Sequence, residues 1–504
     1  MVKLLNPRFY GLPYKQWREG QEDVISRAVD SPEQVVVIEA PVGIGKTAIA
    51  VTTVRANVNS GNILTYTKSL QDRYSQDIER AIPIKGRNNY QCVLPWTSPS
   101  DAAKVGMGDN EERTVDNAPC SVGYQCPVKS VCPYFVQQQQ ALNSMLSIHN
   151  YPYWLAEKEF DAEVVVCDEG DMIASVLRGQ QEVRISEYER NLIGMPVPDS
   201  AASVNRAKFK DLAHKALLRA KRQYGQYSIG TILTNKVADK LDRLALAQGD
   251  WVVTNSSNDV AFIPLTPPDA TASLIRGKTK KLVIMSGTIL DPNYFSKQIG
   301  VNRFEFIKMT CPFPKDNRLI VYSPVGRVTR DTMNALAQPM ANAIIATMDE
   351  HPGEKGIAHT VSFNWADMIS SYLPWDTGNI IFHQRHMKRE EVIKQFRDAP
   401  PGTWIVSPSL SRGEDLPYDE CRVQAITKMP LQNIGDPYVQ AMMQRDKLWY
   451  PYEAMKEFQQ TTGRVCRAND DYGLTVVLDA MFEEYYNGYP QFVADWVREA
   501  VVGI

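Results

Sequence analysis

Val35-Val36-Val37-Ile38-Glu39 runs directly into Ala40-Pro41-Val42-Gly43-Ile44-Gly45-Lys46-Thr47 and then Ala48-Ile49-Ala50-Val51. A β-branched run, a glycine loop and a helix-forming stretch in that order make a strand–loop–helix phosphate-binding loop. Gly43 and Gly45 let the backbone curl so that its N–H groups face the β- and γ-phosphates of a nucleotide at a helix N-terminus. Lys46 adds a point charge, and the Thr47 hydroxyl is a Mg²⁺ ligand of the right kind. Such a loop needs an acidic partner on a neighbouring strand, and Val164-Val165-Val166-Cys167-Asp168-Glu169-Gly170-Asp171 supplies one. Asp168 would hold the Mg²⁺ shell and Glu169 would polarise an attacking water, so the two motifs in this order point to ATP hydrolysis. Further on, in Gln459-Gln460-Thr461-Thr462-Gly463-Arg464-Val465-Cys466-Arg467, the two arginines are three apart. On a helix they share one face and can both reach a γ-phosphate across a cleft, as arginine fingers do.

Around these motifs the chain alternates short β-branched runs with amphipathic stretches, the pattern of a parallel α/β architecture. Strands are expected at Val35–Glu39, Ile63–Thr67, Val164–Asp168 and Leu282–Ser286, and in a second series at Gly356–Val361, Asn379–Phe382, Thr403–Ser407, Val423–Thr427 and Leu474–Asp479. Two α/β units account for both series, and 504 residues are ample for them. Hydrophobic residues at 44% and charged residues at 22% exclude a disordered or collagen-like chain. A net charge of −3 means that nucleic-acid binding must rest on local basic faces. No apolar stretch approaches the roughly 20 residues that cross a bilayer, and Met1 to Pro7 has no signal-peptide core, so a cytosolic setting is expected.

Two segments break the rhythm. Arg87 to Pro133 is rich in Cys, Pro, Gly, Asn and Asp and poor in core material, yet holds Cys92, Cys120, Cys126 and Cys132, separated by 27, 5 and 5 residues. In a reducing compartment such clustered thiols point to metal, which would supply the missing folding energy. Their spacing leaves zinc and a four-cysteine iron–sulfur cluster both open. Cys167, Cys311, Cys421 and Cys466 read as ordinary, mostly buried cysteines. From Ser186 to Gly249 the pattern is helical, with Phe209, Leu212, Ala213, Ala216, Leu217 and Ala220 on one stripe. Lys215, Arg219 and Arg222 fall on the opposite face, which suits either phosphate tracking or plain solvation. Tyr151-Pro152-Tyr153-Trp154 is expected to bury against the first unit rather than to stack bases.

Taken together, these residues resemble the DinG/XPD-like iron–sulfur helicases of superfamily 2, over nearly the whole chain and in the family's order. Gln21 is similar to the adenine-reading glutamine, and Ala40 in place of the loop's first glycine is usual in helicase-type loops. Thr65 to Gln71 looks like motif Ia, and Lys85 to Cys92 like the entry to the cluster domain. Met285-Ser286-Gly287-Thr288-Ile289-Leu290 resembles motif III, Ser411-Arg412-Gly413-Glu414-Asp415-Leu416-Pro417 motif V, and Gln460 to Arg467 motif VI. Departures are Asp171 where the family usually has His, Gly287 for Ala, and His149-Asn150-Tyr151 for the usual Asn-His pair.

The resemblance implies two RecA-like motor domains, the first carrying an iron–sulfur insertion and a helical arch-like insertion. The expected divisions are 1–86, 137–185 and 250–298 for motor domain 1, 87–136 for the cluster domain, 186–249 for the arch-like insertion and 299–504 for motor domain 2. It implies a [4Fe–4S] cluster on the four cysteines, ATP and Mg²⁺ at the interface, and Gly413 and Asp415 among the nucleotide contacts. The implied activity is 5′ to 3′ translocation on single-stranded DNA by a monomer, with unwinding of forked duplex, in the cytoplasm at a nucleoid or in a virus's host. A motor that translocates or strips proteins without unwinding, and a non-catalytic ATP-gated DNA-binding protein, are the alternatives. Only about twenty residues precede Gln21, so the N-terminal exonuclease of some relatives is not expected.

Overall fold

Sheet formation follows the β-branched runs. The computed structural model describes residues 2–57, 60–94, 114–157, 159–198, 205–247, 249–256, 258–265, 275–374, 378–410 and 416–504. The first lobe contains β1 (Val35–Glu39), β2 (Gly61–Thr65), β3 (Ile82–Ile84), β4 (Leu146–Asn150) and β5 (Ala162–Asp168). Next come β6 (Val183–Ile185), β7 (Trp251–Ser256), β8 (Asp259–Pro264), β9 (Thr279–Ser286) and β10 (Glu305–Lys308). The second lobe holds β11 (Ile320–Gly326), β12 (Gly356–His359), β13 (Ile380–Phe382), β14 (Trp404–Ser407), β15 (Val423–Ile426), β16 (Leu474–Asp479) and β17 (Val501–Val502). Two seven-stranded sheets result, in the orders β10-β1-β9-β5-β2-β4-β3 and β13-β14-β12-β15-β16-β11-β17.

Every ladder in both sheets is parallel. Both faces of such sheets are covered, which is why β1 is apolar at successive positions. Val36 and Ile38 enter the core on one face and Val35 and Val37 the core on the other. Each expected strand is present, with shifted ends where a cap or a strained residue intervenes. Thr67, expected in β2, instead caps the next helix by accepting from Leu70 N at 3.3 Å. β12 stops before Val361, whose φ of +63° a β-branched residue adopts only at a break in the strand.

Two expected divisions move. β10 pairs with β1, so the first sheet uses residues as far as 308 rather than ending at 298. The insertion is not only helical: β6, β8 and β7 form an antiparallel sheet in that order, extending it to residues 183–264. Asn255 lies within β7, paired with Val260 of β8, and Asn258, just before β8, has left-handed backbone at φ +69°. Helix Arg206–Tyr224 buries the expected stripe of Phe209, Ala213, Ala216, Leu217 and Ala220. Its basic face is not uniformly positive, because Lys210 pairs with Asp242 at 3.2 Å and Lys215 with Asp211 at 2.7 Å.

The described residues of the cysteine segment form short 3-10 turns, Arg87–Asn89, Val115–Asn117, Pro119–Val122 and Lys129–Val131. It is nevertheless docked on apolar anchors, since Val115, Cys132 and Tyr134 are buried in the first lobe's core. Tyr151, Tyr153 and Trp154 are buried as expected. Among the described residues no helix is long and apolar enough to cross a membrane.

Two histidines make the fold sensitive to acid. Burial lowers the His149 pKa to about 3, helped by Lys278, and lowers that of His359 to about 4, helped by Arg464 and opposed by the hydrogen bond that His359 Nε2 donates to Gln424 Oε1. Both are neutral in the folded chain and take up a proton only after unfolding, so their stabilisation is full above about pH 6.5 and declines below it. At pH 5 each should cost about 2 kcal/mol relative to neutral pH. Urea unfolding at pH 7 and pH 5 should show this loss, and His149→Gln should remove about half of it.

Candidate nucleotide site between the two lobes

Parallel sheets place their ligand-binding loops at the carboxyl ends of the strands. Here a cleft of about 450 Å³ opens there, between the lobes. The first lobe lines it with Gly43, Gly45, Lys46, Thr47, Asp168 and Glu169, the second with Gln460, Arg464 and Arg467. The sheet order explains the convergence: β9 lies between β1, which carries the glycine loop, and β5, which ends at Asp168. Gly413 and Asp415 lie outside the described residues.

The glycine loop has both the strain and the crowding that exclude a side chain. Gly43 has φ +82°, and a Cβ there would sit 2.8 Å from the Arg467 carbonyl oxygen and 2.8 Å from the Phe313 ring. The second lobe therefore presses directly on the loop. Gln21 is buried, with its Nε2 donating to Ile44 O at 2.7 Å and its Oε1 accepting from Arg18 N at 2.8 Å. Both ends of its amide are engaged by protein, so in this structure it braces the loop from behind. Tyr14 and Arg18 line the cleft in its stead, and Arg18 also donates to Gly43 O.

Lys46 is half-buried in the cleft, and the desolvation of its ammonium lowers its pKa. Asp168 opposes that shift, Arg467 adds to it, and Glu169 and Asp171 oppose it again. The arginine of one lobe thus acts electrostatically on the lysine of the other. Burial also raises the Asp168 pKa, against Lys46 and hydrogen bonds from Tyr74 and the Glu169 backbone. Its Oδ1 accepts from Glu169 N at 2.9 Å and its Oδ2 from Tyr74 Oη at 2.8 Å. Glu169 has left-handed backbone, φ +51°, which a non-glycine residue adopts only when its surroundings enforce it.

A polar relay crosses between the lobes beside these groups. Ser286 Oγ donates to Asp171 Oδ1 at 2.7 Å, and Gln460 Nε2 donates to Thr288 Oγ1 at 2.6 Å. Ser286 and Thr288 stand two residues apart at the end of β9, and the Thr288 N–H donates to Ser286 Oγ at 3.3 Å. Asp171, where the resembled family usually has His, acts as an acceptor, which the Ser286 hydroxyl satisfies. Tyr74 was not legible as a site residue. It lies three positions after Gln71 on helix Lys68–Asp77, and this one-turn spacing was its only signal.

The cysteines lie apart from this cleft. Among the described residues no three His, Cys, Asp or Glu side chains converge closely enough to hold a metal ion. Burial raises the Cys120 thiol pKa; Arg87 opposes the shift, and Cys92, Cys126 and Cys132 each add to it. The four thiols thus share one electrostatic neighbourhood without closing on a single ion. Cys167, Cys421 and Cys466 are buried and Cys311 is half-buried.

Residues 347–500 match the helicase C-terminal domain family. The ATP-dependent DNA helicase DinG of Photobacterium profundum is 23% identical over 256 residues, covering 45% of this chain and 36% of that protein. The match therefore spans about a third of the curated relative's length. A solved XPD helicase superposes with a TM-score of 0.66 at 13% identity, with 100% of each chain covered. Xpd4 of S. tokodaii gives 0.58 at 13% identity, covering 96% of this chain and 100% of that one. At these identities the structural likeness is one of fold.

Removing the Ser286 hydroxyl leaves a buried carboxylate without that donor. Ser286→Ala should destabilise the chain by about 1–3 kcal/mol in urea unfolding. The loss should shrink when Asp171→Ala is made in the same chain, as it does for directly coupled pairs.

Proposed function

We propose that this chain, DinG/XPD-like in fold and in its second lobe, is an ATP-dependent DNA helicase whose RecA-like lobes hydrolyse ATP in the cleft between them. The observation that carries this reading is that Lys46 and Arg467, from different lobes, line one cleft, where Arg467 raises the cost of the Lys46 charge. An anion between them relieves that cost, and a triphosphate is the anion that a glycine loop at a helix N-terminus accepts.

In this reading Lys46 and the backbone N–H groups of Gly43 and Gly45 hold the β- and γ-phosphates, while Arg464 and Arg467 close on the γ-phosphate from the second lobe. Glu169 orients the attacking water and accepts its proton. The oxygens of Thr47 and Asp168 would hold Mg²⁺, which supplies charge neutralisation on the phosphates. Gln460, bonded to Thr288, reports the state of the cleft to the strand end that carries Ser286. Opening and closing of the lobes would alternately grip and release a phosphate backbone, and that motion is the translocation step. The track is single-stranded DNA, read 5′ to 3′, with duplex separation at the cysteine segment.

An all-thiol donor set of Cys92, Cys120, Cys126 and Cys132, near enough to act on one another, suits a soft iron–sulfur group wider than one ion. A [4Fe–4S] cluster there would supply a covalent staple to a segment of short turns. Cys120 and Cys92 pack against the first lobe's core and Cys132 is within it, so the staple would be continuous with the lobe.

Lys46→Ala should abolish DNA-stimulated ATP turnover while leaving the circular dichroism spectrum unchanged, and retained turnover would remove the assignment of the glycine loop. Strand displacement on forked DNA separates unwinding from bare translocation or protein stripping. Cys126→Ser should bleach the visible absorbance of anaerobically purified protein and reduce unwinding more than basal ATPase; an unaltered spectrum rejects that ligand.

A further inference from the structure

The Tyr74 hydroxyl, carried on helix Lys68–Asp77, reaches the candidate Mg²⁺ ligand Asp168. We infer that Tyr74 is a positioning residue for the metal–nucleotide complex, holding the Asp168 carboxylate in place for the cation. This rests on reading the cleft as an ATP site and adds a residue that none of its motifs contains.

Tyr74 Oη donates to Asp168 Oδ2 at 2.8 Å. Asp168 is held at its other oxygen by Glu169 N at 2.9 Å, so the plane of the carboxylate is set from two sides. Outer partners of this kind orient ligands and tune affinity for the metal.

The phenol itself is rigidly carried. Its helix, Lys68–Asp77, is capped by Thr67, and Gln71, one turn earlier, donates to Ile84 O at 2.7 Å and Ile148 O at 2.8 Å. Those carbonyls belong to β3 and β4, so the helix is pinned to the sheet that carries Asp168 on β5. The Tyr74 ring is 1% exposed and lies in the core beneath the glycine-loop helix. Filling that space needs only the ring, which leaves the hydroxyl as the part with a separable role.

Tyr74→Phe keeps the ring and removes the hydrogen bond to Asp168. The test is binding of a fluorescent ATP analogue to the full chain, titrated with MgCl₂ and repeated in EDTA, with thermal unfolding of the nucleotide-free protein alongside. The Mg²⁺ concentration for half-saturation should rise about tenfold, the loss of one hydrogen bond to a charged group, while binding in EDTA stays the same. An unshifted Mg²⁺ midpoint or an equal loss of binding in EDTA would overturn the inference. If Tyr74→Phe does not fold, Gln71→Ala, which loosens the helix and leaves the phenol, should move the midpoint in the same direction by less; no movement counts against the inference. A parent chain with no Mg²⁺-dependent nucleotide binding defeats the ATP-site reading, whereas a Mg²⁺-dependent parent with an unshifted variant defeats only the role of Tyr74.

Discussion

Lys46 and Arg467 are cations carried by separate lobes into one cleft, where each is half-buried and only partly screened by water. Burying one charge is costly, and burying two of the same sign within reach of each other adds repulsion to desolvation. Asp168, Glu169 and Asp171 offset part of this from the first lobe's side. A bound anion with several negative oxygens would turn the repulsion across the cleft into attraction to a shared partner. The distance between the lobes would therefore depend on what occupies the cleft.

Other contacts decide how such a change spreads. Tyr294 of the first lobe donates to Asp446 of the second at 2.6 Å, and Tyr452 of the second donates to the Ile289 carbonyl of the first at 3.2 Å. The Asp171–Ser286 and Thr288–Gln460 bonds run beside the cleft itself. The insertion touches the second lobe through Arg445–Asp250 at 3.0 Å, and at its root Arg178 lies 4.4 Å over the Tyr438 ring. It touches the cysteine segment through Lys236–Asp116 at 2.5 Å and the edge-on pair Tyr124–Tyr227 at 5.0 Å. A shift of one lobe must be absorbed at these seams, which join the cleft to the segment bearing the four thiols.

Much of this was legible because the signals are local. The β-branched runs marked both series of strands, the stripe from Phe209 to Ala220 marked a buried helix face, and the glycine loop with its acidic partner marked the cleft. Elements with weak local signals were missed. β10 is four residues long, and β6–β8 are interrupted by polar turns, so the first lobe and its insertion each extend past the divisions that composition suggests. Gln21 was legible as a site residue, but not that both ends of its amide are taken by protein. Tyr74 escaped because a tyrosine on an amphipathic helix looks like any core aromatic until a partner from another strand stands at its hydroxyl.

By itself, then, the order of residues determined that a glycine loop follows a buried strand, that acidic residues and arginines lie downstream, and that four thiols interrupt the first lobe. Those are properties of neighbours along the chain, set by backbone conformation and side-chain type over a few residues. Only the tertiary structure decided that Arg467 faces Lys46, that Asp171 is paired with Ser286, and that Tyr74 donates to Asp168. Each of these joins residues dozens to hundreds of positions apart, and such contacts depend on strand order in the sheet and on the packing of one lobe against the other, which no local pattern encodes.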